Sequence, residues 1–373
     1  MGSTNTAKVA KSICAIWRVS GLPKYKLENS KFVNKKSAAF IIPLVFVAIN
    51  MAVYLKYRKF ESDLNSYVNA IQFATIYMLD LGLIISAYLK RRKIAQIISN
   101  ILTVEKMLQK FCAVEFPSGR LGRNLMIYLM VQTILTIYQI VVVSSATFDI
   151  FSDFFIENAC YHTLVIYSYN FNAMLFFCLL VLRAFHSTFT VGIRENFARK
   201  VQVVESDFRQ VVQVYTLLQK LSKDVFKTFE KLILLKILKD FIIAVSTAYN
   251  ATFLTMQLST VLAFLNKILE TMLYLIAILM SNFGMAYLFE EISRQDVILM
   301  DLLDEILITS RNEFILAYKS IELFDLRLKR RSSVFYVCGL FPLNCTFIYT
   351  MIAGMASYMI YLVQFNQAKP KPL

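Results

Sequence analysis

Charge is scarce in this sequence. Only 17% of its 373 residues are Asp, Glu, Lys or Arg, whereas a soluble domain keeps roughly a quarter of its residues charged. A globular surface in water cannot be covered with so few ionic groups. Glycine and proline are also few, at 9 and 6, which leaves little material for turns and makes helices dominant. There are two His and six Cys, with no Cys-x-x-Cys pair, so neither a metal site nor a disulfide framework is expected. No paired catalytic carboxylates, Ser/His array or nucleotide loop supports an enzyme, and no cofactor is expected.

What is present is apolar and aromatic. Hydrophobic residues make up 57% of the chain, the mean hydropathy is +0.56, and there are 31 Phe and 20 Tyr but one Trp. Phe-rich and Tyr-rich helices suit lipid contact and the aromatic belts of a bilayer. The net charge of +15 would suggest nucleic acid in a soluble protein, but here the basic residues gather between apolar runs, as membrane topology requires. No nucleic-acid partner is expected. Residues 1–37 carry dispersed lysines without an apolar core, so a cleavable signal is not expected. The opening MGSTNT fits the myristoylation pattern through Gly2 and Thr6.

A spanning helix needs about 20 mostly apolar residues. Stretches free of charge predict spans at Ser37–Leu55, Leu64–Leu89 (interrupted only by Asp80), Asn124–Phe148, Asn158–Leu182, Phe241–Asn266 and Thr271–Phe289. The last run, Ser332–Ala368, is too long for one span and contains Gly339, Pro342 and Gly354. Proline disfavours a straight helix, so the run is divided near Gly339–Pro342. The piece before the break would finish a helix, and Leu343–Phe365 would form the seventh span.

Lys and Arg set the orientation. They crowd the N-terminal segment and the second, fourth and sixth connections, the last ending in Arg327-Leu328-Lys329-Arg330-Arg331. The third connection has Asp149, Asp153 and Glu157 with no base, and the fifth has only Lys267. The positive-inside rule then puts the N-terminus in the cytoplasm and the C-terminus outside. That is inverted relative to a G-protein-coupled receptor. The expected architecture is all-α and integral to the membrane: a cytoplasmic segment 1–36, six spans with cytoplasmic helical extensions over 37–289, cytoplasmic anchor helices over 290–342, a seventh helix over 343–368, and an extracellular tail 369–373.

The long connections have helical periodicity. In Val201–Phe229 an apolar stripe runs through Val204, Phe208, Val211, Tyr215, Leu218, Leu221 and Val225, and Val297–Phe324 reads similarly. Such stripes must be buried. Acidic and basic neighbours are mixed along them, which favours a packed helical bundle beneath the membrane over basic helices lying on the inner leaflet. No internal repeat supports an inverted-repeat transporter.

In the last span Thr350, Gly354, Ser357, Tyr361 and Gln364 recur at spacings of 4, 3, 4 and 3, so they share one helix face. A small, polar face on an apolar helix serves either close helix packing or a water-filled path, and the pattern alone does not choose.

The same stretch resembles a known family. Gly339-Leu340-Phe341-Pro342-Leu343-Asn344, followed by Ser357-Tyr358 and, five residues on, Gln364-Phe365, resembles the insect gustatory receptor signature, Thr-Tyr, five mostly hydrophobic residues, then Gln-Phe. Ser357 replaces Thr and keeps the hydroxyl. The segment Glu322–Leu328 is similar to the family's stretch before the last helix. The sharp likeness covers about the last fifty residues, and the rest agrees in span number, topology and length. The resemblance implies a ligand-gated, non-selective cation channel, either a homotetramer or a heterotetramer with related receptors, in the plasma membrane of gustatory dendrites and in contact with membrane lipid. The last helix of each subunit would line one pore, with Gln364 and Phe365 near the extracellular gate. The ligand would be a small-molecule tastant, bitter or otherwise aversive, since features of the sugar-receptor branch are lacking. An odorant receptor-type channel and an accessory subunit needing a co-receptor are the alternatives.

A ligand pocket would lie among the outer halves of spans two to six. Polar and aromatic candidates are Gln72, Tyr138, Gln139, Tyr161, His162, Tyr167, Gln257 and Tyr274, because such groups on aromatic walls suit small organic ligands. Asp80, nearer the cytoplasmic end of its span, is expected to serve structure or gating, because intramembrane carboxylates usually face a partner in the protein interior.

Overall fold

The computed structural model describes residues 5–19, 24–28, 31–35, short stretches between 41 and 52, and then 64–112, 118–145, 153–198, 205–255, 261–309, 315–329 and 334–367. Its helices are α1 (Asn5–Val19), α2 (Leu64–Leu89), α3 (Arg91–Cys112), α4 (Ser118–Ser145), α5 (Asp153–Ala198), α6 (Glu205–Thr255), α7 (Val261–Thr309), α8 (Ile315–Lys329) and α9 (Cys345–Gln367). Two small hairpins complete it: β1 (Lys24–Glu28) with β2 (Lys31–Lys35), and β3 (Tyr336–Val337) with β4 (Phe341–Pro342). Among the described residues Ala70–Leu89, Phe171–Glu195, Thr271–Ile306 and Cys345–Gln364 are long and apolar enough to cross a membrane. The first predicted span lies largely outside the described residues.

The helices α5, α6 and α7 have 46, 51 and 49 residues. At 1.5 Å per residue each is roughly 70 Å or more in length, over twice the ~30 Å hydrocarbon core. Where they run on beyond that slab they pack together. One apolar cluster joins Trp17 of α1, Ile98 of α3, Phe185 of α5, Leu218, Leu221 and Val225 of α6, Leu302 of α7, and Phe324 of α8. The two stripes read from the sequence are therefore buried against each other rather than laid on a leaflet.

Three readings are corrected. The fifth predicted span, Phe241–Asn266, straddles a helix end: α6 ends at Thr255 and α7 begins at Val261, so Lys267 sits within a helix rather than in a connection. Charge-free counting started that span too late because Lys236 and Lys239 are buried inside α6 and Asp240, only partly exposed, pairs with Lys236 there. The residues before the Gly339–Pro342 break form a hairpin instead of finishing a helix. The N-terminal segment, read as dispersed lysines without an apolar core, does carry an apolar face: Ala7, Ala10, Ile13, Cys14 and Trp17 lie on one side of α1 and are buried, at helical spacing. Thr6 of the MGSTNT stretch is also buried there and donates to Glu105 Oε1 at 2.6 Å.

Candidate functional site

The approach to the last helix is built by local backbone chemistry. Cys338 and Gly339 have φ of 48° and 72°, the paired positive values of a type I′ turn, and Leu340 N–H donates to the Val337 carbonyl at 2.9 Å. The hairpin is tied to α6, where Glu230 Oε1 accepts from Cys338 N at 2.7 Å. It is packed on α7 and α6 through Phe335, whose ring centroid lies 5.2 Å from Phe289 and 5.1 Å from Phe226. Asn344 Oδ1 then accepts from Phe347 N at 3.1 Å, capping the first turn of α9. Glu290 of α7 accepts from Cys345 N at 2.8 Å, and a carboxylate at a helix N-terminus is favoured by the helix dipole.

The helix α9 packs on α6 and α7. Its Ile348 and Met351 are buried, Met351 against Ile243, Ala244 and Ile278. The polar face behaves differently. Thr350, Ser357, Tyr361 and Gln364 are exposed in the single chain, and Gly354 is half-buried. A Cβ on Gly354 would lie 3.4 Å from the Phe241 ring, so this glycine lets α9 lie close to α6. Thr350 and Ser357 donate to carbonyls one turn back, Thr346 O and Ala353 O. Of the spanning stretch Cys345–Gln364 only 11% is buried, against 67% for Phe171–Glu195. Tyr349, Tyr358 and Ile360 are exposed as well. The side chain of Phe365 lies outside the described residues.

Directly behind this contact lies a set of buried charges that the sequence reading did not assemble. Lys239 Nζ of α6 donates to Asp80 Oδ1 of α2 at 2.5 Å. One turn away, Lys236 Nζ donates to Asp240 Oδ2 at 2.6 Å and to Asn282 Oδ1 of α7 at 2.9 Å. Asn282 closes the triangle by donating to Asp240 Oδ2 at 2.8 Å. Lys236, Lys239 and Asp80 are each 1% exposed and Asn282 is 0%. Charges at membrane depth are costly unless they pair, and here each has a close opposite partner. Phe241, which follows Asp240, is the residue that meets Gly354. The sequence signal was available: an intramembrane Asp80 requires a cation, and Lys236 and Lys239 lie at the start of the third apolar stretch after it.

Of the eight predicted pocket residues, two have described side chains. Gln72 is buried, with its carbonyl oxygen lacking a hydrogen-bond partner. Tyr274 is partly buried against Ile76, Ile243 and Ile278. Gln72 and Tyr274 precede Asp80 and Asn282 by the same number of residues, about 12 Å of helix, so they occupy similar depth on the side of the charges away from the hairpin. Tyr138, Gln139, Tyr161, His162 and Tyr167 lie on α4 and α5, with side chains outside the described residues. Gln257 is outside them altogether.

The chain matches the family model of the 7tm chemosensory receptor over residues 25–369. No curated protein matches its sequence. Its fold is similar to the insect olfactory receptor OR5 from Machilis hrabei, with a TM-score of 0.73 at 13% identity, covering 96% of this chain and 98% of that one. The same receptor in complex with eugenol matches equally, with a TM-score of 0.73 and 13% identity.

Proposed function

This chain belongs to the 7tm chemosensory receptor family, and from that premise we propose that it is a ligand-gated, non-selective cation channel for small organic tastants, with α9 from each of four subunits around one pore. It is a multi-pass membrane receptor and not an enzyme. The observation that carries the channel reading is the uneven covering of α9. One side is fixed on α6 and α7, while Thr350, Ser357, Tyr361 and Gln364 are left uncovered by their own subunit. The Thr350 and Ser357 hydroxyls are satisfied by carbonyls of their own helix, but the Tyr361 hydroxyl and the Gln364 amide lie uncovered, and turning such groups to hydrocarbon without a partner would cost several kcal/mol, of order 2–7 each. Water shared among symmetry-related copies satisfies them.

Gating follows from two-state packing. In the closed state large side chains near the outer end of α9, including Phe365, meet and exclude water. Ligand binding favours the splayed arrangement, in which Gln364 faces the path and cations pass partly hydrated. Orientation rests on the basic connections, which put the hairpin inside the cell and Gln364 outside. The tastant class rests on the Ser357–Phe365 motif. An odorant receptor-type channel is the second reading, supported by the fold shared with an olfactory receptor. The relative bound to eugenol makes small aromatic compounds a sensible first set of ligands.

The experiment is whole-cell recording from a receptor-null cell expressing this chain alone, against bitter and volatile panels. Ligand-evoked current reversing near zero supports the channel, and the effective panel decides taste from odour. Silence alone with responses on adding a related receptor identifies an accessory subunit. Silence in both arms, with folded protein at the surface, overturns the reading.

A further inference from the structure

Between α5, α6, α7 and the β3–β4 hairpin lies a cavity of about 550 Å³, in the size range of small-molecule sites. It is not the predicted tastant pocket. Lys223, on its rim, is about 48 Å along α6 from the Thr255 end, well beyond a ~30 Å hydrocarbon slab. We infer that this cavity is a second ligand site, taking an organic anion with a flat apolar body and bracing the hairpin from which the last helix starts.

The chemistry of the lining gives the ligand class. One wall is a polar chain whose members satisfy each other. His186 lies 3.1 Å from Ser222 Oγ through Nε2 and 3.5 Å from Asp296 Oδ1 through Nδ1. Tyr215 OH donates to Asp296 Oδ1 at 3.3 Å. The Asp296 carboxylate is thereby occupied, and Glu230 is occupied by the hairpin N–H of Cys338. The opposite wall is apolar and aromatic, formed by Phe226, Met300 and Phe335. Lys223 and Lys227 are exposed at the mouth, one turn apart, and neither makes an ion pair among the described residues. Both carboxylates already accept hydrogen bonds from within the protein, while both lysines at the mouth lack an ion-pair partner among the described residues, so an entering carboxylate or phosphate meets two cationic donors open to it. An aromatic or alkyl body would lie in the cavity against Met300 and the touching Phe226 and Phe335 rings. A soluble aromatic acid and a lipid-derived anion share that chemistry.

Any effect on current rests on the channel reading, so the site itself is tested by binding. Fluorine NMR follows 4-fluorophenylacetate added to the purified full-length receptor in phosphatidylcholine nanodiscs, with 4-fluorophenylacetamide as the uncharged control. The acid is expected to bind at least about tenfold tighter than the amide, a difference of ~1.4 kcal/mol. The surface variant Lys223→Glu/Lys227→Glu should lose at least about tenfold for the acid alone, while Met300→Trp, which fills the cavity, weakens both probes. Displacement by octyl phosphate assigns the site to lipid-like anions, and resistance to it assigns the site to soluble acids. Equal binding of acid and amide, unchanged binding in the lysine variant, or preference for 4-fluorophenethylamine overturns the inference.

Discussion

Helices α5 and α9 are both apolar enough to cross a bilayer, yet one is packed on all sides and the other on one. In α5 the run from Ala173 to Leu179 is almost entirely inaccessible. In α9 the buried residues are confined to the side on α6 and α7. Hydropathy does not distinguish them, at 1.7 and 1.5. The contrast teaches that apolarity reports only that a helix leaves water. What its faces meet depends on neighbours, and the faces of α9 are left for something outside the subunit. The charge network stands between the two regimes, bracing α2, α6 and α7 behind the α9 contact.

The sharpest way to break the comparison is to disturb that brace. Asp80→Ala leaves Lys239 buried without a partner and should cost about 3–5 kcal/mol, seen as loss of monodisperse receptor in fluorescence-detected size exclusion. Asp80→Leu with Lys239→Met should recover most of it. If Asp80→Ala alone is as stable as the parent, the network has no structural role. Next in size, Leu179→Ala in α5 should lower stability by about 2–5 kcal/mol, whereas Ile360→Ala in α9 should change subunit folding by less than ~0.5 kcal/mol and instead weaken assembly, read by particle mass. Equal thermal losses would erase the distinction between the helices. Asn344→Ala removes the cap of α9 and should cost about 1 kcal/mol, measured as a small drop in melting temperature. Gln364→Ala should leave the melting temperature unchanged but alter ligand-evoked currents; unchanged currents would remove the polar face from the pore.

The smallest effect is chemical. Burial pushes the Cys14 and Cys112 thiols up to about 12 and about 11. At pH 8 about one in a thousand of these groups or fewer is thiolate. Maleimide should therefore modify Cys338, half-exposed on the hairpin, well before either of them, as peptide mass spectrometry would report. Early modification of Cys14 would mean that α1 is not docked.

Much of this was legible along the chain. The second predicted span, Leu64–Leu89, coincides with α2, because an apolar run broken only by Asp80 and followed at once by Lys90-Arg91-Arg92-Lys93 is a strong signal. The stripe through Phe208, Val211, Leu218 and Val225 was readable because burial on one side imposes the 3.6-residue period. The α6–α7 boundary was not, since counting charges treats Lys236, Lys239 and Asp240 as solvent markers. In the fold they neutralise Asp80 and hold Asn282, at sequence separations of 159 and 46 residues. The hairpin before α9 escaped for a related reason: two residue pairs of ladder are too short for a periodic signal, and their stability comes from Phe226, Glu230 and Phe289.

The sequence by itself determined that this chain enters a membrane, roughly where it does so, and that its last helix has a small polar face, because each of these is a property of neighbouring residues along one helix. Only the tertiary structure decided which charges pair, how α9 is held, and that its polar face is left uncovered by its own subunit. Those depend on distances between residues far apart in sequence, and no local pattern encodes such a distance.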